Sequence, residues 1–143
     1  MSTPDATVLY DADCGVCVWL IGKVLAWDRR GRLRPVALDA PQAEPLVGDL
    51  GEEERMASWH IVVADGGRAS AGRGLAPLLR RLPGGRPLAA LAERFPRVAD
   101  RGYWAVAGRR SALGRLVTTG AKRRAQERIA RRGSVPSSAA QLR

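Results

Sequence analysis

Asp11-Ala12-Asp13-Cys14-Gly15-Val16-Cys17 contains the only two cysteines of the chain, and just Gly15 and Val16 separate them. Ala6-Thr7-Val8-Leu9-Tyr10 precedes this stretch, rich in β-branched and aromatic residues, and reads as a buried strand. After it, Cys17, Leu20, Ile21, Val24 and Leu25 recur at the i, i+3, i+4, i+7, i+8 spacing of one helix face. A strand, a tight turn and a C-x-x-C pair at the mouth of a helix is the order of a redox dithiol. The first N–H groups of a helix are unpaired and its dipole is positive there, which favours a thiolate at Cys14. Cys17 lies on the apolar, inward face. Cys14 therefore reads as the nucleophile that opens a disulfide, and Cys17 as the thiol that resolves the mixed disulfide. Asp11 and Asp13 oppose a second negative charge, and Asp13 competes for the helix amides as a cap. The expected poise is that of a reductant or balanced exchanger. Asp11, ending the strand, is the third candidate site residue, as a proton acceptor or through an Asx-type bond that fixes the turn.

Other uses of the pair fit less well. A structural zinc site needs two further thiolate or imidazole ligands, and His60 is the only histidine. A fixed structural disulfide would close a very small loop in a chain with no recognisable secretory signal. Dithiol exchange requires no organic cofactor, and none is expected. No apolar run reaches the roughly 18 residues of a membrane span, and Met1-Ser2-Thr3-Pro4-Asp5 does not resemble a signal peptide. A single cytoplasmic domain is expected.

Working outward, the helix stops near Asp28-Arg29-Arg30-Gly31, and its other side carries Trp19, Lys23 and Trp27. That stripe reads as a second core face covered by a later helix, with a partner-docking face as the alternative. Leu33 to Asp39 is the next strand. Pro35 cannot donate to a ladder, so this strand belongs at a sheet edge, beside the first strand through a right-handed crossover. One short helix is expected about Gln42 to Leu50, then a loop carrying Glu52-Glu53-Glu54. Ser58 to Ala64 is a strand, Asp65-Gly66-Gly67 a turn and Arg68 to Gly72 its return. His60 reads as packed, with proton shuttling beside the sulfurs as the alternative. Helices are expected over Leu75–Leu82 and Leu88–Phe95, and a third over Arg97–Val117 that covers the Trp19/Trp27 face.

The residues Tyr10-Asp11-Ala12-Asp13-Cys14-Gly15-Val16-Cys17 resemble the signature of the DCC-type thiol-disulfide oxidoreductases, whose D-x-x-C-x-x-C pattern falls on Asp11, Cys14 and Cys17. The resemblance continues through Leu33–Asp39, the Trp59–Gly72 hairpin and Tyr103-Trp104-Ala105-Val106-Ala107-Gly108-Arg109-Arg110, covering about residues 6–117. Two positions depart: Ala12 replaces a usual glycine, and Gly108 a polar residue. The resemblance implies a thioredoxin-like fold and a disulfide substrate, protein or small molecule; thioredoxins proper carry a cis-proline before the strand corresponding to Ser58–Ala64, facing the dithiol, and Ser58-Trp59 stands at that junction here. The expected architecture is α/β, a thioredoxin-like βαβ–ββα core with a small mixed sheet and a helical C-terminal extension.

The net charge of +10 is concentrated at the end of the chain. Residues 1–100 hold 13 Lys/Arg and 13 Asp/Glu, whereas residues 101–143 hold 11 Lys/Arg and one acid, Glu127. The organisation read from this is a dithiol domain over 1–119 and a basic tail over 120–143. Lys122 to Arg132 has no aromatic residue and Ile129 as its sole large apolar one, so it offers neither a stacking platform nor an inserting helix. It reads as a solvated helical tail whose deletion would leave folding and exchange nearly unchanged. The competing function is a binding module that recruits nucleic acid or an acidic partner through this tail.

Overall fold

A computed structural model describes residues 4–133. Its four strands are β1 (Ala6–Tyr10), β2 (Leu33–Ala37), β3 (His60–Val63) and β4 (Arg68–Ser70). They form one sheet in the order β2-β1-β3-β4. β1 pairs parallel with β2 and antiparallel with β3, and β4 runs antiparallel to β3. This is the thioredoxin-like βαβ–ββα arrangement expected of the sequence. Pro35 sits opposite Val8 on the edge strand, where its missing N–H costs no ladder bond.

Side chains alternate across β1, so the sheet has two buried faces. Ala6, Val8 and Tyr10 join Leu33 and Ile61 on one face. Against them pack Val18, Ile21 and Leu25 of α1 (Gly15–Trp27) and Leu78 of α4 (Leu75–Arg80). Leu9 and Val36 point to the other face, where Leu38, Ala43 and Val47 cover them. Val47 ends α2 (Glu44–Val47), which follows a 3-10 turn at Pro41–Ala43.

The acidic run expected as a loop is instead a helix, α3 (Glu52–Ala57). Its three glutamates occupy the first turn, where the helix dipole stabilises anions. Arg55 ties α3 to the sheet by donating to the Leu38 carbonyl. α5 (Arg86–Arg94) matches expectation. The single helix expected over 97–117 is divided into α6 (Pro96–Ala107) and α7 (Arg110–Gly114), with the break at Gly108 and Arg109. Glycine is a weak helix former, so a turn of chain there costs little. α6 lies directly on the 3-10 turn Ala71–Gly74, and a Cβ at Gly72 would sit 2.3 Å from Asp100 Cα. The same contact lets the Asp100 carboxylate accept the Gly72 N–H at 3.2 Å.

The largest departure from expectation is α8 (Thr119–Gly133), which is laid along α1 rather than left in solvent. Ala125 is buried, Ile129 packs against the main core, and a Cβ at Gly22 would come within 2.5 Å of Ala125 Cβ. Arg128 donates to the Gly22 carbonyl at 3.3 Å. Arg132 reaches the end of α1 and donates to the Asp28 carboxylate at 2.7 Å, to the Asp28 carbonyl at 2.6 Å and to the Leu25 carbonyl at 3.3 Å. It thereby satisfies carbonyls that the helix leaves unpaired, and places a cation at the negative end of its dipole. Asp28 is fully buried and also accepts the N–H groups of Arg32 and Leu33. Residues 134–143 of the expected tail lie outside the described residues.

The helix that covers α1 is thus α8, and the Trp19/Trp27 stripe is not a covered core face. Lys23 and Trp27 are exposed, the Lys23 ammonium lies 5.6 Å over the Trp19 ring, and the Trp27 indole donates to the Pro83 carbonyl at 2.8 Å.

Candidate active site

The turn between β1 and α1 is built by Asp11. Its carboxylate accepts the Asp13 N–H at 3.0 Å, and its carbonyl accepts the Cys14 N–H at 3.2 Å. This is the Asx-type arrangement, which bends the chain without a glycine at position 12. Cys14 is itself the N-cap residue of α1, with extended backbone (φ −94°, ψ 112°), and its carbonyl accepts the Val18 N–H at 3.0 Å. Asp13 therefore does not cap the helix; it is exposed beside the turn.

Both cysteines are free and half-buried, so exposure alone does not separate the two sulfurs as expected. Their interactions do. The neighbouring Cys14 sulfur and the Arg110 guanidinium act on the Cys17 thiol in opposite senses. Burial, reinforced by the neighbouring Cys14 sulfur, pushes the Cys17 thiol up to about 12, with Arg110 pulling the other way. At neutral pH Cys17 therefore holds its proton.

Arg110 is the site residue that sequence reasoning left unassigned. It opens α7, which touches α1, and a Cβ added at Gly114 on the same helix would meet the Val16 side chain at 3.6 Å. The signal was present in Tyr103–Arg110, quoted for its resemblance, but nothing local aims that segment at the dithiol. Tyr103 comes with it. Its hydroxyl accepts the Trp59 N–H at 3.5 Å, and burial, together with charge on the two sulfurs, pushes its ionisation up. Trp59, in the position where a thioredoxin has its proline, is held by its indole N–H donating to the Ala71 carbonyl at 3.1 Å.

These elements enclose a cavity of about 210 Å³ whose wall includes Cys17, Trp59, Tyr103 and Arg110. No group of three or more His, Cys, Asp or Glu side chains arranged to hold a metal occurs among the described residues. No helix among them is long and apolar enough to cross a membrane.

His60 is not part of the site. It pairs with Leu9 in the sheet and so points to the face opposite Val8, Tyr10 and α1. Its Nε2–H donates to the Arg55 carbonyl at 2.9 Å, leaving Nδ1 to accept the Ser70 hydroxyl. Burial holds the imidazole below its ordinary range, only partly offset by the Arg55 carbonyl. The neutral form is thus favoured by folding. Stability should be complete above the unfolded-state value of ~6.5 and decline as pH falls through the lower folded value, by up to about 1.4 kcal/mol per pH unit. Urea midpoints at pH 7.5 and 5 test this. His60→Gln should flatten the difference, and an unchanged pH response in that variant would refute the assignment.

A C-x-x-C pair at the start of the first helix, on a sheet of this strand order, places the chain in the thioredoxin-like α/β class. Residues 8–116 match the DCC1-like thiol-disulfide oxidoreductase family, and the chain belongs to that family. No curated protein and no solved structure matches it.

Proposed function

We propose that the protein is a cytoplasmic dithiol–disulfide oxidoreductase in which Cys14 attacks and Cys17 resolves. The observation that carries this reading is the free C-x-x-C pair at the start of α1, with Cys14 as the N-cap residue and Cys17 on the same cavity wall as Arg110. In the first step the Cys14 thiolate attacks one sulfur of R–S–S–R′, forming Cys14–S–S–R and releasing R′–S⁻, which takes a proton from solvent. In the second, Cys17 attacks the Cys14 sulfur as it gives up its proton, expelling R–S⁻, which takes up that proton, and leaving a Cys14–Cys17 disulfide. The substrate gains two electrons and two protons, and a cellular thiol reductant restores the dithiol. Arg110 stabilises the Cys17 thiolate as it forms, when the charge that Cys14 carried has passed into a covalent bond.

For Asp11 we favour turn fixing over proton transfer, because its carboxylate already holds the Asp13 N–H. The reduced protein, mixed with excess bis(2-hydroxyethyl) disulfide, should lose two hydrogens in mass and retain no adduct. Stable adducts on single cysteines would instead indicate nonspecific thiol exchange and defeat the reading. In the same assay Asp11→Asn, which keeps the accepting oxygen, should react within about twofold of the parent over roughly pH 6–9, a window bracketing the free thiol. Slower resolution in that variant alone would make Asp11 the proton acceptor.

A further inference from the structure

The cavity beside the dithiol is larger and more apolar than disulfide exchange itself requires. Trp59 and Tyr103 form part of its wall, and Ile21 and Leu78 belong both to the cavity and to the core that supports it. Leu20 and Val106 stand at it still 42% and 49% exposed, which gives the cavity an apolar mouth. Its volume, about 210 Å³, exceeds the roughly 150 Å³ of an apolar cavity known to hold benzene. One aromatic ring or branched chain fits. Of the residues lining it, Arg110 alone carries charge, and no carboxylate pairs with that guanidinium among the described residues. A half-buried guanidinium at the edge of an apolar cavity, engaged on the protein side by the Cys17 thiol and not by a carboxylate, is placed to receive an anion from outside. The backbone N–H of Trp59 at this site is already taken by the Tyr103 hydroxyl, so it is not open to an incoming peptide.

We propose that this cavity is the substrate pocket for a low-molecular-weight disulfide whose thiol half carries an apolar ring or branched chain and an acid group, the apolar part lying between Trp59 and Tyr103 and the acid on Arg110. The inference rests on the dithiol reading above and adds the class of substrate to it. Binding in this pose presents the disulfide along the wall that holds Cys17, beside Cys14. Attack by Cys14 then releases the outer half and keeps the pocketed half in the mixed disulfide, and resolution by Cys17 expels it as its thiolate.

The test uses 4,4′-dithiodibenzoate, bis(4-aminophenyl) disulfide and bis(2-hydroxyethyl) disulfide. Each rate with the reduced protein is divided by the rate with free dithiothreitol, which removes the leaving group's own reactivity. The normalised rate should be at least about tenfold higher for the benzoate than for the hydroxyethyl compound, the scale of one charge-assisted hydrogen bond. Arg110→Gln should remove most of the benzoate's advantage over the aminophenyl compound, whatever it does to the absolute rates. Ala107→Phe, which fills the cavity, should lower both aromatic rates relative to the hydroxyethyl one. Equal normalised rates for the three compounds overturn the pocket while leaving the dithiol reading intact. A second measurement stands apart from the chemistry. 4-(Methylthio)benzoate, which cannot be reduced, should bind by calorimetry and lose about tenfold in affinity in Arg110→Gln. Absence of binding overturns the pocket even if disulfides are reduced. Binding without any disulfide reduction keeps the pocket and sinks the dithiol reading. A cysteine-containing peptide disulfide that reacts as fast as the benzoate, with the same dependence on Arg110, would overturn the assignment to small molecules.

Discussion

Cys14→Ser is expected to abolish disulfide reduction, whereas Cys17→Ser should stop at a mixed disulfide stable enough to isolate. The asymmetry follows from the two sulfurs' surroundings. Cys17 is pushed up to about 12 by burial and by the neighbouring Cys14 sulfur, so very little of it is thiolate at neutral pH. Only the thiolate attacks, so iodoacetamide at pH 7 should modify Cys14 first and Cys17 far more slowly. Raising the pH should accelerate the Cys17 reaction about tenfold per unit until the pH nears its ionisation. Replacing Cys14 by serine takes away the ionisable sulfur that helps to raise Cys17, so Cys17 in Cys14→Ser should alkylate faster than in the parent. Peptide mapping of alkylated protein measures all of these rates. Equal rates at the two positions, or no trapped species in Cys17→Ser, would reverse the assigned roles.

Ending the chain at Thr118 should unfold the protein or leave a molten state that binds hydrophobic dyes, the largest stability effect expected of any change here. The deletion removes Ala125 and Ile129 from the core, uncovers the α1 face at Gly22 and leaves the buried Asp28 carboxylate without Arg132. Because the loss of a large contact is hard to separate from general damage, two point variants isolate its parts. Arg132→Ala should cost about 3 kcal/mol, since one partner of a largely buried ion pair is removed and the other charge stays behind. Gly22→Leu should be at least as damaging, because its side chain would have to occupy the space of Ala125. Urea unfolding of the full chain and its variants gives these differences. A truncated chain with an unchanged midpoint and intact dithiol exchange would restore the view of this segment as a solvated tail. Steep, salt-dependent nucleic-acid binding lost on the same truncation would favour the binding-module function.

The dithiol, its strand and its helix were legible in the residues because they are local. The strand is a short apolar run, the helix is a 3.6-residue periodicity, and the cysteines stand at the junction of the two. The edge position of β2 was equally legible, since Pro35 lacks the donor that a central strand would need. The side of the sheet that His60 faces was decided by register: its pairing with Leu9 sends it to the α3 side, away from the sulfurs. Arg110 reaches Cys17 because the chain bends after Gly108 and α6 docks at Gly72, contacts distant in sequence that no periodicity announces. The same holds most strongly for α8. Its composition is that of a solvated helix, and charge counted along the chain points to solvent. What seats it on α1 is the absence of a side chain at Gly22, the small one at Ala125, and a buried Asp28 that needs Arg132. Hydrophobic patterning reports what a residue adds to an interface, whereas close helix contacts are made where residues add almost nothing, so the tertiary structure alone brings α1 and α8 together.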